Sequence, residues 1–375
     1  MNTILDPSRA IDLALARHVV LARGALSSST GDPDRPWRPP LLRRSEGFAA
    51  SALVLGDEAL AQEPQSARDA IAAALASFQQ ARGTPPRALK IGERAAFELE
   101  VPSPTAAGAL AGRIALVTGA AGAIGHGLCR GLLEQGCRVA ATDLAGEALD
   151  QTASAFRAEF GDNILGLPMD VARPEAVREA FAALGLQWGG VDLVIVNAGV
   201  AHVAALEELE LAEFQRLDKV NVEGTLNTLA EAGRWLKHQA IGGDIVLIST
   251  KNVFAPGARF GAYSATKAAA HQLARIAALE FAEHDIRVNM VAPDAVFSAG
   301  DVRSGLWASV GPDRMKARGL DEAGLEEYYR GRNLLKARVT ARHVANAVLF
   351  FATRQTPTTG ATLPVDGGLP DAAPR

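Results

Sequence analysis

The sequence contains few of the side chains that form covalent or metal crosslinks. Its 375 residues include only 2 cysteines, Cys129 and Cys137. Two thiols, predicted within one helix and the turn after it, are too few for a disulfide framework and fit a reducing compartment. Residues 1–101 contain one histidine, His18, and no cysteine, so this part lacks the ligand cluster of a zinc or iron site. We expect a cytoplasmic protein without a metal centre.

The sequence also lacks an excess of positive charge and long apolar runs. The net charge is −4 and the pI is about 6.0, which provides no basic field for nucleic acid or an anionic membrane. No apolar stretch reaches the ~20 residues that a membrane helix needs. The first residues, Met1–Asp6, lack the cationic and apolar regions of a secretory signal. We therefore expect neither nucleic acid nor a membrane as a partner.

What is present is a large apolar fraction in a long chain. Apolar residues make up 48% of the sequence, enough for a substantial core. The length favours one large domain with a smaller one attached. We predict a small N-terminal α/β lobe of unknown role over residues 1–101 and a linker rich in alanine, proline and glycine over 102–112. The main domain is predicted over 113–370.

Short patterns within residues 1–101 predict the elements of the lobe. An apolar stripe favours a helix up to Gly24, and alternation or β-branched residues favour strands at 52–55 and 96–100. An alanine-rich helix is predicted at 66–80. The stretch 31–47, rich in proline and arginine, is predicted to be an irregular surface loop.

The main domain begins with a strand, a glycine turn and a helix. The apolar run Arg113–Val117 is followed by Thr118–Gly125 and then by helical periodicity. In this order, backbone N–H groups and a helix N-terminus receive a pyrophosphate. Gly119 permits the tight turn and Gly125 permits close helix packing, with Gly122 between them. A purely structural βα turn is the alternative.

An acidic residue ends the next predicted strand. Asp143 follows Gly119 by 24 residues, and a carboxylate there can accept both adenosine ribose hydroxyls and repel a 2′-phosphate. Neither the glycine turn nor the residue after Asp143 supplies Arg or Lys. The sequence therefore favours NAD over NADP as the cofactor.

Polar residues follow two further predicted strands. Asp170 and Val171 follow the strand at 164–167, and Asn197–Gly199 follows the apolar strand at 191–196, where Gly199 would let the backbone approach a ligand. Because strands alternate with helical patterns of 10–15 residues, the sheet should be parallel. The predicted fold class is α/β, with a Rossmann-like doubly wound parallel sheet flanked by helices.

The centre of the predicted chemistry is a tyrosine and a lysine. Tyr263 and Lys267 are four residues apart in a helical segment, so they share one face. A phenol has a pKa of ~10, and a cation beside it can lower that pKa so that the phenol acts as a base. An exposed Tyr and Lys on an ordinary helix would be the alternative for the pair alone.

These separated motifs resemble the short-chain dehydrogenase/reductase family over about residues 111–370. The resemblance implies a bound dinucleotide and oxidation of an alcohol, reversible in principle. With the glycine turn, the residues predicted to contact the cofactor are Gly119, Gly122, Ile124, Gly125, Asp143, Asp170, Val171, Asn197, Gly199, Tyr263, Lys267, Val296 and Ser298.

The resemblance also implies the catalytic roles. Tyr263 takes the hydroxyl proton, while Lys267 lowers the tyrosine pKa and holds the nicotinamide ribose. The family's catalytic hydroxyl precedes the tyrosine by thirteen residues, which gives Thr250 where serine is usual, with Ser249 as the fallback. Asn221, in the family's V-N-x-x-G motif, is implied to hold a water that links the lysine to solvent.

Three departures from the family pattern leave alternatives open. Ala123 replaces the usual middle glycine of the turn, Thr250 replaces serine, and Asp294 follows Pro293 where glycine is usual. The leading hypothesis is an NAD-dependent oxidoreductase acting on a small sugar-derived alcohol or hydroxyaldehyde. The alternatives are an NADPH-dependent carbonyl reductase of the oxoacyl type and a non-catalytic dinucleotide-binding scaffold.

Residues 299–335 are predicted to form a lid over the substrate. The lid residues that could contact a polar substrate are Arg303, Trp307, Tyr328, Tyr329 and Arg330. Family members commonly form homodimers or homotetramers through the helices after the fourth and fifth strands, and the resemblance implies the same here.

A narrower resemblance lies in residues 249–257, 293–296 and 325–335. These stretches are similar to the dehydrogenase half of bifunctional rhamnulose-1-phosphate aldolase/lactaldehyde dehydrogenases. The aldolase half of such proteins is a metal enzyme with a histidine pair. The present chain contains no H-x-H, and its lobe is too short for that aldolase, so we expect no aldolase activity.

Overall fold

The structure is a computed structural model that describes residues 12–29, 41–45, 52–56, 64–92, 94–100 and 108–370. Predictions for the remaining residues, including 31–40 of the expected loop and 102–107 of the expected linker, lie outside the described residues. None of the described helices is long and apolar enough to cross a membrane.

In its described residues the N-terminal lobe contains two helices and a sheet of four strands in the order β1-β4-β3-β2. In chain order the elements are α1 (Leu13–Ser29), β1 (Leu41–Ser45), β2 (Ala52–Leu55), α2 (Pro64–Arg82), β3 (Ala88–Ile91) and β4 (Ala95–Glu100). Strands β2 and β3 are parallel, and the other pairs are antiparallel. The prediction of an irregular loop was wrong for 41–45, and β3 was not predicted, because each contributes too few apolar residues to show a period.

The main domain is built on a parallel sheet of seven strands. These strands are β5 (Ile114–Thr118), β6 (Arg138–Asp143), β7 (Ile164–Pro168), β8 (Leu193–Val196), β9 (Gly243–Ile248), β10 (Ile286–Pro293) and, after the hairpin strands β11 (Ser298–Ala299) and β12 (Val302–Arg303), β13 (Thr362–Val365). Their order across the sheet is β13-β10-β9-β8-β5-β6-β7.

Helices cover both faces of this sheet. They are α3 (Ala123–Glu134), α4 (Glu147–Phe160), α5 (Pro174–Trp188), α6 (Leu211–Asp218), α7 (Gly224–Gln239), α8 (Gly261–Phe281), α9 (Gly305–Lys316), α10 (Glu322–Arg332) and α11 (Ala341–Ala352). One core lies under α3, α4 and α11, and the other lies under α5, α7 and α8. All residues of β5 and β8 are buried, as expected for strands covered on both faces. The predicted fold class is confirmed.

The strand order positions the crevice where a ligand can bind. The chain builds β5, β6 and β7 outward and then returns to β8 on the other side of β5. At such a switch point the neighbouring connections leave the sheet in opposite directions, which opens a crevice at the carboxyl ends of the strands. The glycine turn follows β5, and the residues Asn197–Gly199 follow β8, so both border this crevice.

Helix α1 joins the lobe to the main domain. It packs on the side of the sheet that α5 and α7 cover, near the amino end of β8. Ala16 and Val20 belong to the core under α5 and α7. The Arg23 guanidinium donates to both carboxylate oxygens of Asp192 at 2.8 Å, and neither side chain is exposed to solvent. Asp192 also accepts the Ile114 N–H at 2.9 Å. The lobe is therefore packed against the seven-stranded main domain, with a buried ion pair at the contact.

The predicted lid region forms the β11–β12 hairpin and the helices α9 and α10. Gly311 and Pro312, residues that disfavour a helix interior, both lie inside α9. Ser304 caps its start by accepting the Trp307 N–H at 3.3 Å. Val310 and Arg314 are buried on one side of α9, which places a charged residue on the face toward the crevice.

Candidate active site

The glycine turn between β5 and α3 forms one wall of the crevice. Gly119 has φ of 65°, and a Cβ there would lie 2.9 Å from the Cα of Ala198. A Cβ on Gly125 would lie 2.1 Å from the carbonyl oxygen of Gly119, so α3 packs directly on the turn. Within the described residues no side chain caps α3 at Gly122, and its first turn has no acidic residue. The positive end of this helix is therefore open to an anion.

Asp143 lies beside this turn, as the sequence predicts. Thr118 and Thr142 are opposite each other in the β5–β6 register, which brings the next residue of β6 level with the turn. The carboxylate of Asp143 accepts the N–H of Ala121 at 2.9 Å and that of Leu144 at 2.8 Å. These bonds fix its orientation, and its remaining lone pairs can accept hydroxyl groups.

The residues after β7 and β8 form the next part of the wall. Asp170 accepts the N–H of Ala172 at 2.9 Å and so shapes the loop that also exposes Val171 to the crevice. The Asn197 amide donates to the carbonyls of Thr118 at 2.9 Å and Gly119 at 3.0 Å. Asn197 therefore braces the glycine turn, a contact that its position in the sequence does not reveal.

Thr250 is the hydroxyl that faces Tyr263. It follows β9 and lines the crevice together with Tyr263, where its hydroxyl acts on the phenol in the direction that lowers the pKa of the phenol. Its Oγ1 also accepts the N–H of Asn252 at 3.3 Å. The fallback residue, Ser249, lies elsewhere, since its hydroxyl bonds to Nδ1 of His271 at 2.9 Å. The structure thus brings together the pair predicted by the thirteen-residue spacing.

The pKa of Tyr263 is shifted opposite to the expected direction. Burial raises it to about 12, the hydrogen bond from Thr250 opposes this, and the negative charge of Asp294 adds to it. Lys267 is not among the groups that shift this pKa, and its ammonium donates to the carbonyl of Ile248 at 2.8 Å. Burial also lowers the pKa of Lys267 to about 8, which weakens its positive charge. In this structure Tyr263 is a protonated phenol at neutral pH.

Asn221 lies behind the lysine in a π turn, Lys219–Glu223, between α6 and α7. Such turns occur frequently at functional sites. Its amide donates to the Val200 carbonyl at 2.9 Å and to Thr266 Oγ1 at 3.0 Å, and its oxygen accepts the Val200 N–H at 2.9 Å. A Cβ on Gly199 would lie 3.1 Å from Oδ1 of Asn221 and 3.6 Å from Nζ of Lys267. Gly199 therefore leaves the space that separates these two groups.

One predicted contact lies outside the main cavity. Val296 lines the cavity and is buried, whereas Ser298 is exposed in the β11–β12 hairpin and lines a smaller neighbouring cavity. Asp294 borders both cavities, and its carboxylate binds the guanidinium of Arg332 at 2.7 and 2.9 Å. The family-like position of Ser298 near a pyrophosphate remains a prediction.

The main cavity has a volume of about 610 Å³ and extends from the glycine turn to the lid. At the lid end it is lined by two of the predicted lid residues, Trp307 and Tyr329. Arg303 and Arg330 are instead paired on the surface with Glu322 and Glu327. Sequence reasoning missed the basic lining residues Lys251, Arg314 and Arg332. The four-residue spacing of Val310 and Arg314 could have indicated that both lie on the same buried face of a helix. That interpretation requires a helix that continues through Pro312.

These features fit a nicotinamide dinucleotide. The open N-terminus of α3 suits a pyrophosphate, the oriented carboxylate of Asp143 suits ribose hydroxyls, and Gly199 leaves room beside Lys267. Ala123 stands where the family usually has glycine. It is buried at the first position of α3.

Comparison with known proteins gives consistent matches. A family model described as short chain dehydrogenase matches residues 113–305. The chain is 36% identical over 265 residues to an uncharacterized oxidoreductase, YuxG, of Bacillus subtilis (strain 168), covering 70% of this chain but only 38% of that protein. It is 31% identical over 258 residues to the 2,3-dihydro-2,3-dihydroxybenzoate dehydrogenase of the same strain, covering 68% of this chain and 95% of that protein.

A solved structure shows the same architecture. The crystal structure of sorbitol-6-phosphate 2-dehydrogenase SrlD from Erwinia amylovora superposes with a TM-score of 0.63 at 26% sequence identity. The superposition covers 68% of this chain and 98% of that chain.

Proposed function

Because this chain belongs to the short chain dehydrogenase family and is therefore an oxidoreductase acting on alcohol groups, we propose that it transfers a hydride between NAD and a small hydroxylated substrate. The proposed substrate is a sugar-derived alcohol or a hydroxyaldehyde, because hydroxyl and charged side chains, among them Thr250, Tyr263 and Lys251, line the cavity. The observation that carries the proposal is that Thr250, Tyr263 and Lys267 line the same cavity as the glycine turn.

The residues that would hold the cofactor lie along one side of the cavity. The first turn of α3 would bind the pyrophosphate, Asp143 the adenosine ribose, and Lys267 the nicotinamide ribose. When bound, the nicotinamide supplies the acceptor or donor of the hydride. The protein supplies position, charge and the exclusion of water.

Tyr263 and Thr250 would handle the substrate oxygen. In carbonyl reduction the Tyr263 phenol donates its proton to the oxygen, and in alcohol oxidation the phenolate removes the hydroxyl proton. Thr250 would orient the same oxygen, since its side chain lines the cavity together with Tyr263. Asn221 would hold a water that links Lys267 to solvent, in the space that Gly199 leaves between these two side chains.

The central test is a substitution that removes the phenol alone. Tyr263→Phe should lower kcat by about 10²–10⁴-fold, the usual contribution of a general acid or base, and leave NADH binding intact. Tyr328→Phe is the matched control, because Tyr328 is exposed and does not line the cavity. Turnover should be measured with a panel of polyols and hydroxyaldehydes, lactaldehyde included. Equal turnover of the Tyr263→Phe variant and wild type would refute the mechanism.

The preference for NAD rests on Asp143. Its carboxylate is fixed beside the glycine turn and would repel the 2′-phosphate of NADP. Fluorescence titration should show tighter binding of NADH than of NADPH. The Asp143→Asn variant should show a smaller difference between the dissociation constants of the two cofactors. Tighter NADPH binding by wild type would favour the alternative, a carbonyl reductase, for which the protonated Tyr263 is already suited as a proton donor.

We further propose that two copies associate through α7 and α8. These helices expose large apolar side chains, among them Leu226, Ile276 and Leu279. Exposed apolar patches of this kind commonly mark interfaces. Leu279→Glu should convert the protein to a smaller species in sedimentation experiments, and unchanged mass would place any interface elsewhere.

The narrower proposal that the chain derives from a bifunctional aldolase/dehydrogenase remains a prediction. Turnover of lactaldehyde in the panel above would support it. A cytoplasmic location is also proposed, consistent with Cys129 and Cys137 being buried free thiols.

A further inference from the structure

Three basic side chains meet at the lid end of the main cavity. Lys251 comes from the turn after β9, Arg314 from α9 and Arg332 from α10. Among the described residues, Asp294 is the carboxylate that lines this end, since Asp143 and Asp170 lie beside the glycine turn and β7. The three positive charges therefore face one negative charge.

Arg332 and Asp294 already neutralise each other. The Arg332 guanidinium binds both carboxylate oxygens of Asp294, at 2.7 and 2.9 Å, and lies 4.4 Å from the centre of the Tyr329 ring. Bidentate pairs of this kind are strong and specific in geometry. The carboxylate has little capacity left for the other two cations.

Arg314 is buried without a counterion among the described residues. It is only 5% exposed, and its guanidinium lies 4.8 Å from the centre of the Phe260 ring. Its polar contacts are long ones, 3.4 Å to the Ala258 carbonyl and 3.4 Å to the Tyr329 hydroxyl, and its Nε has no hydrogen-bond partner in the described structure. A buried charge is costly unless an opposite charge and hydrogen bonds satisfy it.

Lys251 is the second cation without a carboxylate partner in the described part of the chain. Its ammonium donates to the Ala255 carbonyl at 3.1 Å. Burial and the positive charges of Arg332 and Arg314 lower its pKa, an effect that Asp294 only partly offsets. Lys251 follows Thr250 directly, so it lies next to the residue that orients the reacting oxygen.

We propose that Arg314 and Lys251 bind an anionic group on the substrate, a phosphate monoester or a carboxylate, at the lid end of the cavity. This inference rests on the proposed function, because it assigns the substrate class of that same site. A phosphate monoester carries about −1.5 to −2 charges at pH 7 and matches the two unneutralised cations best. The planar guanidinium of Arg314 can bind two oxygens of either group.

The test compares substrates that differ only in the anionic group. Sorbitol, gluconate and sorbitol 6-phosphate should be assayed by NADH formation on the wild-type protein. We expect kcat/KM for an anionic member to exceed that for sorbitol by about 100-fold, with two charge-assisted hydrogen bonds contributing. Whether the phosphate or the carboxylate is preferred identifies the group. Equal kcat/KM for all three compounds would overturn the inference.

Variants locate the effect. Lys251→Gln and Arg314→Gln should each reduce the ratio of kcat/KM for anionic over neutral substrate by about tenfold, and Arg314→Lys should restore part of it. Lys316→Gln is the matched control, because Lys316 is an exposed cation on the same helix and does not line the cavity. If Arg314→Gln fails to fold, the Lys251→Gln variant provides the test, because Lys251 is partly exposed and its substitution is less disruptive. Equal ratios in Lys251→Gln and Lys316→Gln would contradict the assignment.

A binding measurement separates this inference from the proposed function. Sorbitol 6-phosphate and inorganic phosphate should be titrated calorimetrically into NAD-saturated Tyr263→Phe protein. The same titration should be repeated on the Tyr263→Phe/Lys251→Gln double variant. If the phosphate compounds bind to the single variant and not to the double variant, the anion site is supported even if no substrate is oxidised. Oxidation of neutral polyols without binding of either phosphate compound would refute the anion site and leave the dehydrogenase function standing.

Discussion

Raising the pH should increase the rate of alcohol oxidation by this protein well into the alkaline range. Oxidation needs the Tyr263 phenolate, and burial raises the pKa of this phenol to about 12. The sign follows directly: below its pKa the group is protonated, so each unit of pH multiplies the reactive fraction by about ten. Carbonyl reduction uses the protonated phenol, and its rate should stay nearly constant over the same range.

The size of the effect comes from the shift itself. At pH 9 a phenol with an ordinary pKa of ~10 is about 10% ionised, whereas one with a pKa near 12 is about 0.1% ionised, a difference of about 100-fold. Lys267 does not compensate, because its pKa is lowered to about 8 and its ammonium loses its charge as the pH rises through that value. The oxidation profile should therefore show no plateau near neutrality.

Two measurements check this prediction. One is kcat/KM for oxidation at saturating NAD across the alkaline range. The other is the near-ultraviolet absorbance of phenolate, recorded as the difference between wild type and Tyr263→Phe, which is practical because the chain has only 3 tyrosines. A half-ionisation point for Tyr263 at or below about pH 8, without cofactor, would show that burial does not dominate its environment.

Two further predictions concern packing. Arg23→Met leaves the Asp192 carboxylate buried with the Ile114 N–H and should lower the free energy of unfolding by about 3–5 kcal/mol in urea titrations. Asp192→Asn should lower the free energy of unfolding much less in the Arg23→Met background than in the wild-type protein. If the two changes lower it by strictly additive amounts, the side chains are not coupled. Gly199→Ala should lower kcat by about tenfold with little loss of stability, because the new methyl group enters the space between Asn221 and Lys267. If the variant has wild-type kinetics, that space has no role in catalysis.

Much of the fold could be predicted because its signals are local. A buried parallel strand is a short apolar run, and the turn after β5 carries its glycines in sequence. Asp143 could be placed because strand lengths fix how far the end of β6 lies from the turn. In the lobe, by contrast, β1 and β3 depend on pairing with β4, which no single stretch encodes.

The candidate site was predictable where spacing determines contact and unpredictable where distant elements meet. The thirteen residues from Thr250 to Tyr263 span a turn and a helix start, and the pair does meet. The pKa of Tyr263 depends on burial by the lid, which no spacing reports. The cations at the lid end converge from three elements, and the helix carrying Arg314 contains a proline, a residue that disfavours a helix interior.

The π turn at Lys219–Glu223 makes the length of this segment as important as its composition. It holds one residue more than α-helical geometry allows between α6 and α7. Deleting one residue there would replace the wide turn by ordinary α-helical bonds and leave the directions of α6 and α7 nearly unchanged. Trp235 would keep its contact with Phe181 on α5, whereas the shortened turn would displace Asn221 from Val200 and Thr266. We expect natural insertions and deletions to spare these five residues even where individual exposed positions vary.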